Sequence, residues 1–122
     1  MQVRVYYEDT DVGGVVYHSN YINFCERARS ELFFQKGMSP HKKDEFFVVK
    51  HLEANFIKPA VFADILEIKT TLNSVKNASV VMTQDIFRDE VLIFQAIVKL
   101  AYLKNSKPSK IPSEILHIFK EV

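Results

Sequence analysis

The chain predicts an α+β fold in which one long helix packs against a five-stranded antiparallel sheet. Three observations carry that expectation. A helical apolar stripe of any length occurs once, from about Asn20 to Lys36. From Phe46 onward the hydrophobic period changes to two and persists through four segments. The connections between those segments are short, which favours antiparallel pairing. One helix on one sheet is a two-layer architecture with a single core, and 122 residues suit one domain, residues 1–122, rather than two.

Taken in order, residues 2–7 alternate and are rich in Val and Tyr, so they predict a short first strand. A loop of acids and glycines follows. The helix then begins with Ser19 or Asn20 as its N-cap. Tyr21, Phe24, Cys25, Ala28 and Leu32 make its apolar stripe, with Asn23, Arg27, Ser30 and Glu31 facing away. Gly37 is placed to end it in a left-handed cap. Residues 46–57 read as a strand stopped by Lys58-Pro59, because Pro donates nothing within a sheet. Further strands cover about 64–73, with Leu66, Ile68, Thr70 and Leu72 on one face, then about 78–88, then Val91 to Lys104 after a turn at Arg88-Asp-Glu90. Beyond Pro108 and Pro112 a brief helix would use Ile115, Ile118 and Phe119 as its apolar edge. The last long strand is apolar on both faces: Leu92, Phe94, Ala96, Val98, Leu100 and Tyr102 on one, Ile93, Ile97, Ala101 and Leu103 on the other. Both faces therefore need cover, and one helix covers one of them. The C-terminal piece or a second subunit must cover the other, which makes an oligomer the expectation.

Composition narrows the function. Basic and acidic residues nearly cancel, 16 against 15, which leaves no electrostatic footprint for nucleic acid or an anionic membrane. Lys42 and Lys43 are the only adjacent basic pair. The start of the chain lacks the charged and apolar regions of a signal peptide, and no apolar run approaches a membrane span. A lone cysteine, Cys25, excludes an internal disulfide and a multi-cysteine zinc site. A cytoplasmic protein is the expectation.

The most informative segment runs from Tyr7 to Tyr21. It packs acids, two adjacent glycines and a histidine directly before the helix. A helix start presents unpaired N–H groups and a partial positive charge. A carboxylate beside such donors suits acyl transfer, since it can act as base or nucleophile while the donors hold an oxyanion. Glu8, Asp9 and Asp11 are the candidates, and Asp11 is favoured because it directly precedes the Gly13-Gly14 turn. The plain alternative is a solvated turn that starts the helix. The glycines let backbone approach a ligand, and Gly14, Val15 and Tyr17 are the candidate substrate contacts on this segment. His18 is a candidate general base, carbonyl donor or hydrogen bonder at the helix start. Asp9-x-Asp11-x-Gly13 partly mimics a calcium loop but lacks the oxygen ligand at Gly13 and the Glu at Asn20, and His18 alone cannot hold zinc, so no metal is expected. No Gly-x-Ser-x-Gly occurs for a serine hydrolase. Cys25, on the stripe, reads as core. Lys50, His51 and Glu53 on a strand, His41 in a loop and His117 on a surface helix receive no role.

The run Val3-Arg-Val-Tyr-Tyr-Glu-Asp-Thr-Asp-Val-Gly-Gly-Val-Val-Tyr-His-Ser-Asn-Tyr21, followed by Glu26-Arg-Ala-Arg-Ser-Glu31, resembles the hotdog-fold acyl-CoA thioesterases of the 4-hydroxybenzoyl-CoA thioesterase type. Within these it is most similar to the bacterial Tol–Pal-associated acyl-CoA thioesterases. The resemblance continues through Pro59-Ala60, Asp64, Leu66-Glu-Ile68 and Thr83-Gln84, and departs at Val61 and Ala63, where an arginine and an acidic residue are more usual. It implies a hotdog fold and acyl-CoA as substrate, with no cofactor beyond it. It places the catalytic carboxylate on Asp11, as nucleophile or general base, and the carbonyl-polarising N–H at about His18. It further implies sites between the subunits of a homodimer or homotetramer, with Lys76, Asn77 and Ser79 near the CoA of the partner's site, and protein partners at the cell envelope. Two rivals stand beside it: a hotdog protein that binds acyl-CoA without hydrolysis, as scaffold or regulator, and a hydratase or dehydratase, which would need a His and acid pair.

Overall fold

In the computed structural model, which describes residues 1–122, every long period-two segment is a strand: β3 (Glu45–Phe56), β4 (Ile65–Val75), β5 (Ser79–Arg88) and β6 (Val91–Lys104). The N-terminal strand β1 spans Gln2–Arg4 and the long helix α1 spans His18–Phe34. Two strands of two residues each were not expected, β2 (His41–Lys42) folding back on β3 and β7 (Lys107–Pro108) on β6, and they make the sheet seven-stranded. The second return uses Asn105 and Ser106, both at positive φ, as tight hairpin turns require. All pairings are antiparallel, in the order β1-β4-β5-β6-β3-β2. The expected α+β fold, a curved antiparallel sheet around one long helix, is thus the fold observed.

Successive strands do not always pair, however. β3 lies against β6, from Glu45↔Lys104 to Phe56↔Phe94, while β4 lies on the far side of β5. The connection crosses the end of the sheet, where the N–H groups of Ile57 and Lys58 both donate to Ile93 O and Ala60 is fully buried. β1 is shorter than its pattern, because after Val5 the chain turns into one 3-10 turn at Tyr7–Asp9.

Helix α1 starts two residues earlier than its capping residues suggested and buries Tyr21, Phe24, Cys25, Ala28 and Phe33. Leu32 is only half-buried. Phe33 replaces it because the last turn also meets the C-terminal helix α2 (Ser113–Lys120), where Phe33 and Phe119 pack edge to face at 5.5 Å. At the other end of that turn Gly37, at φ +70, closes the helix: its N–H donates to Phe34 O and that of Met38 to Phe33 O, both at 3.0 Å. This is the paired bonding of a Schellman cap, with Met38 packing back on the core.

The core has two parts on one face of the sheet. Val5, Val16, Tyr21, Phe24, Leu66, Ile86 and Phe94 fill the end near the start of α1. Phe33, Val80, Met82, Val98, Leu100 and Tyr102 fill the other with Ile115, Ile118 and Phe119 of α2. Helix α2 therefore lies on the α1 side and does not cover the second face of β6, whose Ile97, Ala101 and Leu103 stay half-buried. No helix is long and apolar enough to cross a membrane.

Candidate active site

The acid-glycine segment is a tight hairpin rather than an open loop. Thr10 and Val16 face each other as an antiparallel bridge, the Asp11 N–H donates to Val15 O at 2.9 Å, and the Gly14 N–H donates to Asp11 O at 3.0 Å. Gly14 sits at φ +81, a conformation that side chains with a Cβ resist. The Asp11 carboxylate turns back over the hairpin, where its Oδ1 accepts from the Gly13 N–H at 2.8 Å. A Cβ on Gly13 would meet that oxygen at 3.2 Å, so the small residue gives the carboxylate its room. Asp11 is exposed, and its Oδ2 takes no hydrogen bond within the chain.

Asp9 has the opposite surroundings. It is buried, and its Oδ2 accepts from the Tyr6 N–H at 2.8 Å. Its carbonyl oxygen accepts from the Tyr17 N–H at 2.8 Å and from Asn20 Nδ2 at 2.9 Å. Asp9 fastens the hairpin to the first turn of α1, and Asp11 is carried on that fastening.

Neither Ser19 nor Asn20 is the N-cap. That position belongs to Tyr17, in extended backbone with no side-chain cap bond, because its N–H is tied to Asp9 and the amide of Asn20 is spent on the same carbonyl. The N–H of Asn20 turns back to Tyr17 O at 2.8 Å, while those of His18 and Ser19 find no acceptor in the chain. No acidic residue lies in the first turn to offset its partial charge. The His18 ring is exposed, packs against Tyr17 at 4.4 Å and makes no hydrogen bond, so it does not tie down the helix start.

Beside this end lies a cavity of about 260 Å³ walled by Val15, Val16, His18, Tyr21, Phe56 and Pro59 among others. Tyr21 forms part of its floor, with its hydroxyl accepting from the Ala60 N–H at 3.0 Å. Burial pushes the Tyr21 phenol above its ordinary value, and the charges of Asp64 and Asp11 add in the same direction. Asp11 is joined to this cavity through its N–H bond to Val15, one of the walls. An exposed carboxylate, free N–H groups on an uncapped helix and an apolar cavity beside them can bind an acyl carbonyl and direct an oxygen nucleophile at it.

The other candidates separate cleanly. Gly14, Val15 and Tyr17 share the hairpin and helix start with Asp11 and His18. Lys76 and Ser79 close the β4–β5 turn, the Lys76 N–H donating to Ser79 O at 2.8 Å. They lie a whole strand away, about 30 Å at the rise of an extended chain. Asn77 is exposed on the same turn. Cys25 is buried, and burial pushes its thiol up to about 12, as suits core. His41 lies in β2 instead of a loop, Lys50 at a bulge of β3, and His117 is exposed beside Glu121. Val61, where the usual arginine is replaced, bridges Val15, and Ala63 holds φ +75 in the same turn.

Sequence reasoning gave no role to the Tyr21 hydroxyl, the Asn20 amide or Arg29. Arg29 Nη1 donates to Gln84 Oε1 at 2.8 Å, and the fully buried Gln84 donates in turn to Cys25 O at 2.8 Å and Thr70 Oγ1 at 3.1 Å. The available signal was Gln84 itself, a polar residue alternating with Val80, Met82 and Ile86 on the buried face.

The profile described as the thioesterase superfamily matches residues 13–93. Over its full length the chain is 37% identical to an acyl-CoA thioesterase, YbgC, of Helicobacter pylori, covering 97% of that protein. It is 39% identical to the acyl-CoA thioester hydrolase YbgC of Escherichia coli over 98% of this chain and 93% of the other. Among solved structures, a probable thioesterase from Bartonella henselae superposes with a TM-score of 0.85 at 38% identity, covering 92% of this chain and 97% of that one.

Proposed function

The chain belongs to the thioesterase superfamily as an acyl-CoA thioester hydrolase, and from that premise we propose that Asp11 supplies the reacting carboxylate and the His18 N–H holds the thioester oxygen. The observation that carries this reading is the pairing of a free Asp11 oxygen with an uncapped helix start, on one hairpin fastened by Asp9. As the carbonyl carbon becomes tetrahedral, negative charge moves to its oxygen, where a well-placed donor is worth about 3–4 kcal/mol. Asp11 either attacks that carbon, giving an anhydride that water opens, or takes the proton from the water that attacks. CoA leaves as thiolate, so no strong general acid is needed, and no cofactor enters the reaction. Gly14, Val15 and Tyr17 border the acyl carbonyl.

A second copy of the chain belongs to the same proposal. Val48 of β3, paired with Ala101 on the outer face, is 36% exposed, and that second face of β6 is apolar and half-buried. Lys76 and Ser79 are too far from their own Asp11 to meet its substrate, but a partner's substrate can reach them, with Lys76 as a point charge for a CoA phosphate. Sedimentation as a stable monomer would contradict this part.

The test is thiol release from a panel of acyl-CoAs, short, long and aromatic, by wild type and Asp11→Asn. The expected result is turnover by wild type and a loss of about 10²-fold or more in the folded variant. Binding of acyl-CoA without turnover by wild type would replace the reading with that of an acyl-CoA binder.

A further inference from the structure

We infer that Arg29 reads the far end of the acyl group and selects acyl chains that end in a carboxylate. The inference rests on the thioesterase reading above and extends it to substrate class.

Phe56, Ala54, Leu52, Val49 and Phe47 are successive inward-facing residues of β3, each opposite an inward-facing residue of β6. Helix α1 runs antiparallel beside them, with Tyr21 against Phe56 at one end. The helix leaves this strand partly open: Val49, Ala54 and Phe56 are all exposed. The cavity at His18 and Tyr21 and a second cavity of about 260 Å³, walled by Phe33, Phe47, Val49, Leu100 and Phe119, lie along the same strand, so an acyl chain seated in the first would extend past Ala54 toward the second. From His18 to Arg29 the helix rises about 16 Å, a length that suits an extended medium-to-long acyl chain.

Arg29 lines the second cavity and is the feature an apolar chain does not need. A guanidinium carries five donors, and Arg29 spends one inside the protein, on the buried Gln84. It forms no ion pair, although the cavity also borders Glu26. Glu26 is exposed and accepts from Ser30 Oγ at 3.4 Å. A cation taken partly out of water with no ion pair, and only the unbonded charge of Glu26 near it, is costly, and a bound carboxylate offsets that cost through paired charge-assisted hydrogen bonds. Gln84, itself held by Cys25 O and Thr70 Oγ1, fixes the direction of the guanidinium. Apolar walls with one oriented cation, here beside Glu26, Ser30 and His41, are the recognition elements for a chain with an acidic end.

The test compares two CoA thioesters of equal length, dodecanoyl-CoA and the mono-CoA thioester of dodecanedioic acid, on wild type, Arg29→Met and Arg29→Lys. Wild type is expected to favour the acid-ended ester by about tenfold in kcat/KM, chiefly through KM. In Arg29→Met the ratio falls to one or below, and Arg29→Lys restores part of it. Equal or poorer use of the acid-ended ester by wild type overturns the inference and leaves the thioesterase reading intact. Equal loss on both esters in Arg29→Met, with no change in their ratio, also overturns it, since that is the mark of a structural role. If wild type hydrolyses neither ester, the thioesterase reading fails first. Calorimetric binding of the two esters to wild type then decides the inference by the same ratio.

Discussion

The two flanks of α1 face the same sheet in different ways. On the flank toward β4 and β5 the side chains beneath the helix close over one another, Phe24, Leu66, Ile68 and Ile86 being almost wholly buried, and the cavity there, about 410 Å³ beside Ala28, Leu32 and Thr71, lies outside them. On the flank toward β3, Val49 and Phe56 are about half exposed, and two cavities open along the strand. The closed flank holds the fold together. The open flank holds the Asp11 hairpin at one end and Arg29 toward the other. A domain this small cannot be closed on every side and still admit a substrate, and on the proposed reading stability and chemistry are divided between the two edges of one helix.

Truncation on the closed flank is the largest test of that division. Phe24→Ala is expected to cost about 3–5 kcal/mol of stability, read from urea unfolding. A cost below about 1 kcal/mol would mean the closed flank does not carry the fold. Proton linkage gives the next effect, also from under the helix. The Cys25 thiol, pushed from 9.0 to about 12 by burial, keeps its proton in the folded chain while the unfolded chain loses it. Its contribution is complete below pH 9 and is lost as pH rises toward 12, by about 4 kcal/mol at most. Tyr102, raised from 10.0 to about 12 by burial and its bond to Glu45, acts with the same sign. Denaturant midpoints between pH 8 and 11 should therefore fall steadily, and a flat profile would show that water reaches the thiol. Smaller still is Asn20→Ala, which removes the amide bond to Asp9 O and should cost about 0.5–1.5 kcal/mol. Its sharper signature is kinetic, a loss of kcat from a loosened hairpin, and unchanged kcat would separate that bond from the chemistry. Gly14→Ala, at φ +81, is expected to cost about 1 kcal/mol.

Much of this was legible in the sequence because it is local. The stripe from Tyr21 to Ala28, the alternation of Leu66 with Ile68, the left-handed Gly37 and the turn at Asp89-Glu90 each follow from neighbours within a few residues. What was not legible depends on distant partners. Nothing near β3 says that it will pair with β6, since that register is settled by the crossover through Ala60. Ser19 and Asn20 have the chemistry of N-caps, but the reach of Asp9 across the hairpin claims the Asn20 amide and fixes Tyr17. Asp11 could be preferred over Asp9 from its place before the glycines, whereas their division into an anchor and a free carboxylate needed the backbone bonds of Tyr6 and Tyr17. Nothing in the helix pattern singles out Arg29, because the partner that orients it, Gln84, lies 55 residues away.

The central claim is that two neighbouring aspartates divide the work: the Asp9 carboxylate holds the Tyr6 N–H while its carbonyl holds the start of α1, and the Asp11 carboxylate reacts. Asp11→Asn and Asp9→Ala, measured side by side for acyl-CoA hydrolysis and urea midpoint, test it most directly. The account predicts that Asp11→Asn loses about 10²-fold or more in kcat with stability within about 0.5 kcal/mol of wild type. Asp9→Ala, which removes the carboxylate bond to Tyr6 but keeps the carbonyl that holds Tyr17 and Asn20, should lose about 1–3 kcal/mol of stability and still turn over while folded. An Asp11→Asn protein that hydrolyses acyl-CoA at the wild-type rate would contradict the account.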